Sequence, residues 1–300
     1  MQESNFGTVI RVYLVDGISD GLKSAEIMNW TGQVLVAPRT HISRIGERSE
    51  ARKTGVYALV GRDSVDPSRD IVYIGESDDV FNRLTHHNRD DSKDFWEQVV
   101  LVTSKDENLT KTDVRYLESR LIEIASAARR SKLVNGTSPS TPPISDPDKA
   151  VMEDFLEKTQ LAVSVMGFNF LKTLRLPPTE EFNDEASPVF KLTARGIEAR
   201  ALEVDGEFVV LAGSTARVDG TPTWRNNVAL RDQLIVEGVL APSPDPKFLL
   251  LTADTGFRSP SMAGSIFSAQ QINGRTAWKL ETSGETYAEW QDRKIANVRT

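Results

Sequence analysis

The 300-residue chain contains no cysteine. That excludes disulfide bridges and thiolate metal sites and suits a reducing compartment. Histidine is nearly as scarce, with three copies, and His41 has no His or Cys partner at a ligand spacing, which argues against zinc. No apolar run approaches the ~18 residues of a membrane span. The start, MQESNFG, lacks the basic and apolar regions of a signal peptide. The chain is therefore expected in the cytoplasm and away from membranes. Neither a G-x-x-x-x-G-K-[ST] nor a G-x-G-x-x-G run occurs, so the common glycine-rich phosphate loops are excluded. There is no internal repeat and no low-complexity tract.

What remains is ordinary globular material, with 39% apolar and 26% charged residues. Its length suits about two domains. The net charge of −7 runs against binding nucleic acid, whose affinity rests largely on phosphate neutralisation. The acidic excess lies in residues 137–186, however, while 51–136 and 187–300 are close to neutral. Any basic footprint must be local.

The most informative stretch is Gly55-Val56-Tyr57, then Tyr73-Ile74-Gly75, then the run Ser77 to His87. GVYALV and IVYIG flank a polar loop holding Gly61 and Pro67, the pattern of an antiparallel hairpin. Period-two alternation allows Tyr57 and Tyr73 to share a face. Ser77 is an expected N-cap, with Asp78 and Asp79 at the positive helix end and Val80 and Leu84 on the buried side. Arg83 and His87 share another side of that helix. FWEQVVLVTS reads as a strand buried on both faces. Thr110 caps a helix through VRYLESRLIEIASAARR, with Asp113 completing a capping box and Val114, Leu117, Leu121 and Ile124 at core spacing. Glu118 lies close to that apolar side, an expensive place for a carboxylate without a compensating cation.

These residues resemble the GIY-YIG nuclease family. Gly55-Val56-Tyr57 stands for the first element, with Val in place of Ile, and Tyr73-Ile74-Gly75 for the second. Arg83, His87, Glu118 and Asn135 follow in the family's order, over roughly residues 52–136. The resemblance implies phosphodiester hydrolysis. On that pattern Glu118 binds one Mg²⁺ or Mn²⁺, Arg83 clamps the scissile phosphate, and Tyr57 takes a proton from the attacking water. That last role calls for a phenol pKa lowered by nearby cations. Tyr73 and His87 would order water and phosphate, and Asn135 would fix substrate or a neighbouring side chain. Each residue alone has a blander reading as packing, solvated charge or turn; the ordered conjunction carries the resemblance.

The flanks are read from pattern. Residues 8–14 form a strand, Gly21 to Trp30 a short helix and QVLVAPR a second strand, in an N-terminal β/α appendage over 1–50 that extends or covers the sheet; 39–50 are a partly helical connector. The nuclease-like domain spans 51–178, including an irregular strap from Asn135 to Pro147 and an amphipathic helix over 149–166. An acidic linker occupies 179–186. In 187–300, PVFKLT, IEARALEV, EFVVLAG and FLLLT read as strands, with a hairpin turn at Asp205-Gly206, a helix over 227–240 ending at Gly238, a helix start at Ser259-Pro260 and a turn at Asn273-Gly274. FRSPSMAGSIF, Asn273-Gly274 and Trp278-Lys279 resemble an uncharacterised α+β domain found C-terminal to GIY-YIG modules. The fold class is thus α+β: a small three-stranded antiparallel sheet with flanking helices, the appendage, and a C-terminal α+β domain that is expected to select or position substrate or partner and to perform no chemistry.

Two functions are carried forward. One is a metal-dependent endonuclease acting on nucleic acid, DNA ahead of RNA, by in-line attack of water to leave a 5′-phosphate. The other is a catalytically silent nucleic-acid-binding or regulatory protein on a nuclease fold. Lys105, Lys111, Arg115, Arg129 and Arg130 are the candidate basic rim.

Overall fold

The computed structural model describes residues 7–63, 70–136, 139–173, 188–204 and 206–298. The chain divides into two compact units, 1–173 and 174–300. Residues 179–186, Pro177-Pro178, Pro67 and Asp205 lie outside the described residues.

In the first unit, β1 (Ile10–Leu14), β2 (Lys23–Ile27) and β3 (Gly32–Pro38) form a meander, followed by the short helix α1 (Ile42–Ile45). β4 (Gly55–Arg62) and β5 (Asp70–Ser77) are the hairpin, and α2 (Val80–Asn88) follows. Then come β6 (Gln98–Ser104), α3 (Lys111–Ala128), β7 (Ser131–Leu133) and α4 (Asp146–Val165). The strands make one seven-stranded sheet in the order β1-β2-β3-β6-β4-β5-β7. The expected three-stranded antiparallel sheet is its centre, β6-β4-β5, with β6 paired on both sides. The N-terminal strands extend that sheet through the β3–β6 ladder.

One element differs from the sequence expectation. Lys23–Ile27 is a strand, β2, and no helix occupies 21–30. Ala25 and Ile27 are buried at period two, and Asn29, with φ near +62°, turns the chain into β3. Alternation outweighed the weak helical spacing of so short a segment.

The two faces of the sheet bury different helices. Val34, Val56, Ile74, Val100 and Val102 pack with α3 and α4, including Leu117, Leu121, Phe155 and Leu156. On the other face Leu35, Tyr57, Leu59, Val99 and Leu101 pack with Ile45, Val80, Leu84 and Trp96. Every position of β4 from Gly55 to Gly61 is buried, as a central strand covered on both sides requires.

The second unit has a five-stranded sheet, β14-β10-β9-β8-β15, and a three-stranded sheet, β11-β13-β12. Its strands are β8 (Phe190–Leu192), β9 (Ala199–Val204), β10 (Glu207–Val210), β11 (Thr215–Arg217), β12 (Leu240–Pro242), β13 (Phe248–Leu251), β14 (Thr255–Phe257) and β15 (Lys279–Leu280). Its helices are α5 (Val228–Val236), α6 (Pro260–Ser268), α7 (Gly274–Ala277) and α8 (Tyr287–Val298). Ser259 caps α6 by accepting from the Met262 amide, as its sequence signature predicts. At the expected turn Asn273-Gly274 the chain enters α7, which Asn273 caps by accepting from the Arg275 amide. The core centres on Phe190, Phe208, Trp278, Tyr287 and Trp290. Buried Arg231 donates to the carbonyls of Ile266, Arg217 and Val218, tying α5 to β11 and α6 without a carboxylate.

Gly61 shows how tightly the first sheet is framed. A Cβ there would lie 1.9 Å from the Phe95 carbonyl oxygen, a backbone atom that cannot rotate away. Gly61→Ala is expected to destabilise the protein by about 2 kcal/mol or more, read from the urea midpoint. An unchanged midpoint would contradict this packing.

Candidate active site

The site begins with a strand register. Tyr57 on β4 lies opposite Gly75 on β5, and Leu59 lies opposite Tyr73, so both tyrosines emerge on one face with ring centroids 6.3 Å apart. A Cβ at Gly75 would meet the Tyr57 hydroxyl at 2.4 Å. The missing side chain lets the phenol lie across β5.

α2 supplies the next pair. Asp79, not Ser77, is its N-cap: the Asp79 carboxylate accepts from the Asn82 amide. Ser77 instead turns the chain one step earlier, its hydroxyl donating to the Asp79 carbonyl at 2.8 Å. Val80 and Leu84 are fully buried, which fixes the helix rotation. His87 then reaches the Tyr57 hydroxyl through Nε2 at 2.8 Å, packs at 5.3 Å edge-on to Tyr73, and is itself buried. Arg83, one turn earlier, borders the cleft with both tyrosines.

α3 brings Glu118. Thr110 and Asp113 form the expected capping box, and Val114, Leu117 and Leu121 are buried. Glu118 is half-buried, and no described residue donates a hydrogen bond to its carboxylate. On β5, alternation sends Glu76 to the α3 side, where Lys111 pairs with it at 2.8 Å and with Asp78 at 3.2 Å. Tyr57, Tyr73, Gly75, Glu76, Arg83, Lys111 and Glu118 line one open cleft of about 480 Å³. Residues from both faces of the sheet meet there because β7 pairs with β5 only over Asp70–Val72.

Asn135 explains how the remaining β5 edge is held. Its side chain accepts from the Ile74 amide at 3.1 Å and donates to the Ile74 carbonyl at 2.7 Å. The family resemblance implies for it a contact with substrate or a neighbouring side chain. Both ends of the amide are taken by backbone, so it is a clip that continues the β7 ladder past Leu133.

The electrostatics correct a second expectation. Burial, then the neighbouring Tyr73, push the Tyr57 phenol above its ordinary value, and Arg83 only partly opposes them. The lowered pKa expected for a base is absent in the free protein, since a 2%-exposed phenol loses too much hydration to ionise. His87 moves the other way, to about 4, through burial first and then the charges of Arg83 and Lys93. The imidazole is thus neutral near pH 7. Glu118 is pushed up to about 7 by burial and by the charge of Glu76, against Lys111, Arg115 and Arg83.

The basic rim is only partly assembled. Lys111 lines the cleft, and the exposed Arg115 acts on Glu118. Lys105 pairs with Glu26 at 3.3 Å. Arg129 and Arg130 follow the opposite end of α3, ~27 Å from Lys111 at the usual helical rise, and Arg130 donates to the Lys172 carbonyl. They belong to a different part of the surface. Sequence reasoning missed Glu76, whose place after Gly75 on the alternate face was available as a signal, and Lys93, whose position depends on the 3-10 turn Asp91–Lys93.

Residues 190–291 match the model of a family described as Domain of unknown function (DUF4357). The match covers the second unit's β8 to the early part of α8 and leaves residues 55–135 untouched. No curated protein and no solved structure matches the chain. Among the described residues no helix is long and apolar enough to cross a membrane.

The Glu118 shift has a stability consequence. A carboxyl whose folded pKa is raised from 4.5 to about 7 favours folding when protonated; that contribution is full below pH 4.5 and is lost as pH rises through 7. Glu118→Gln should therefore melt like the wild type near pH 4 and ~3 °C or more above it at pH 8 without divalent ions. Parallel melting curves at both pH values would place Glu118 in water.

Proposed function

We propose that the first unit is a metal-dependent nuclease that hydrolyses phosphodiester bonds, DNA ahead of RNA. The observation that supports it is the convergence, in one cleft, of two phenols, a guanidinium and an unpartnered half-buried carboxylate. Each matches a need of the reaction: proton removal from water, charge stabilisation on phosphorus, and cation binding. The order of these residues along the chain resembles the GIY-YIG family.

Glu118 fits a hard divalent cation. Its carboxylate is desolvated, accepts no hydrogen bond from the described residues and faces Glu76, a setting that a positive ion relieves. Among the described residues no cluster of three or more His, Cys, Asp or Glu could hold a metal. Glu118 would therefore bind Mg²⁺ or Mn²⁺ largely through water and substrate oxygens, as Mg²⁺ commonly is bound. When present, the ion supplies positive charge to the reacting phosphate and its leaving oxygen.

The protein's own groups account for the rest. Arg83 presents a planar fork to the equatorial phosphate oxygens. For Tyr57 oxygen to accept a proton from the attacking water, its own proton must point to His87, which requires the tautomer whose Nε2 is bare. Neutral His87 at 2.8 Å then takes the phenol proton as the phenol takes the water proton. No free phenolate is required. Burial is the main cause of the low imidazole pKa; phosphate bound against Arg83 would screen the second, the guanidinium charge, and raise the basicity of His87 by that part alone.

The test is incubation of the full chain with Mg²⁺ or Mn²⁺ and duplex, nicked, branched and single-stranded DNA and RNA. Cleavage should be metal-dependent and lost by at least about 10³-fold in Glu118→Ala and Arg83→Ala. Tyr57→Phe should lose turnover with little loss of binding. Binding without cleavage of any substrate would favour the silent alternative. Near-wild-type cleavage by Tyr57→Phe across pH would remove the phenol from proton transfer.

A further inference from the structure

Lys93 is not part of the motif, yet it reaches the same aromatic group from outside the cleft. It ends the turn Asp91–Lys93, and its ammonium lies 3.7 Å from the centre of the Tyr73 ring. It is half-buried, and burial lowers its pKa, with Asp90 opposing that and Arg83 adding to it. Lys53, Lys105 and Lys111 each pair with a carboxylate. Among the described residues none accepts a hydrogen bond or ion pair from Lys93 Nζ. An aromatic face replaces only part of an ammonium's hydration, and the ammonium keeps N–H donors that an anion can take from solvent.

Lys93 and Arg83 both act on His87 and both sit against Tyr73. Two like charges brought together at a partly desolvated place are costly in the free protein. A polyanion crossing them removes that cost. Tyr73 and Arg83 line the cleft, whereas Lys93 and His87 do not, so Lys93 adds a positive charge at Tyr73 from outside the cleft lining.

We propose that Lys93 is a second phosphate subsite, which takes a backbone phosphate next to the one clamped by Arg83, against the ring of Tyr73. This rests on the nuclease reading and adds a residue that the motif does not contain. Its ligand is a phosphodiester chain, so a substrate with a single phosphate does not use it.

The experiment compares wild type, Lys93→Met, which keeps the apolar stem, and Lys93→Arg, which restores the charge; Lys93→Gln serves if the Met variant fails to fold. Anisotropy of a fluorescent duplex DNA is read across a salt series in Ca²⁺, and hydrolysis of thymidine 5′-(p-nitrophenyl phosphate) is read in Mn²⁺. Lys93→Met should lower the magnitude of the log–log salt slope by ~0.9, the value of one lost phosphate contact. It should hydrolyse the single diester no more slowly than the wild type, since its loss also removes one of the charges that hold the His87 pKa down, and Lys93→Arg should recover the slope. An unchanged slope with wild-type binding intact would overturn the subsite. So would an equal loss on the single diester, which would make Lys93 a support for Tyr73. If the wild type shows no salt-dependent nucleic-acid binding, the nuclease reading itself fails, and the subsite with it.

Discussion

The register that sets Tyr57 opposite Gly75 is the constraint on which the cleft depends. It places both phenols on the α2 face and sends Glu76 to the α3 face. Because a strand's side chains alternate, a slip of one residue would exchange these faces and scatter the group. β6 and β5 hold β4 along nearly its whole length, and the Asn135 amide grips Ile74 beside the pair. The glycine is required by proximity, since any Cβ would strike the Tyr57 hydroxyl.

On this frame the charges are arranged in opposition. The carboxylate end holds Glu76, Asp78 and Glu118 around Lys111; the cationic end holds Arg83 and Lys93 around the two tyrosines and His87. In the free protein both ends are unfavourable: Glu118 resists ionisation and His87 resists protonation. A divalent ion at the first and a phosphate at the second would each relieve what burial imposes. Strain of this kind is a common companion of sites built for a charged ligand.

Much of the first unit was legible because its signals were local and mutually consistent. The hairpin, the buried strand after it and the capping box at Thr110 each followed from alternation or cap chemistry. β2 was not, since five residues of mixed character carry too little periodicity and owe their state to the pairing on both sides. That the N-terminal segment extends or covers the sheet was expected, but its pairing partner was hidden, since nothing within β3 announces β6 as its neighbour. Among site residues, the helix spacing of Arg83 to His87 could be read, and so could the tension at Glu118. The raised phenol could not, because its burial comes from packing across the sheet and α2. Lys93 was hidden by a short irregular turn. In the second unit the Ser259 cap was clear, while the aromatic core that joins β8, β10 and α8 is assembled from distant segments.

The central claim is attack of water on a phosphodiester in the Tyr57–Arg83–Glu118 cleft. Its most direct measurement is analysis of the cleaved ends after reaction with Mg²⁺ in ¹⁸O-labelled water under single-turnover conditions. The account predicts one solvent oxygen in a new 5′-phosphate, and a 3′-hydroxyl without label. Product bearing the label at the 3′-hydroxyl, or no cleaved nucleic acid at any divalent-ion concentration, would contradict it.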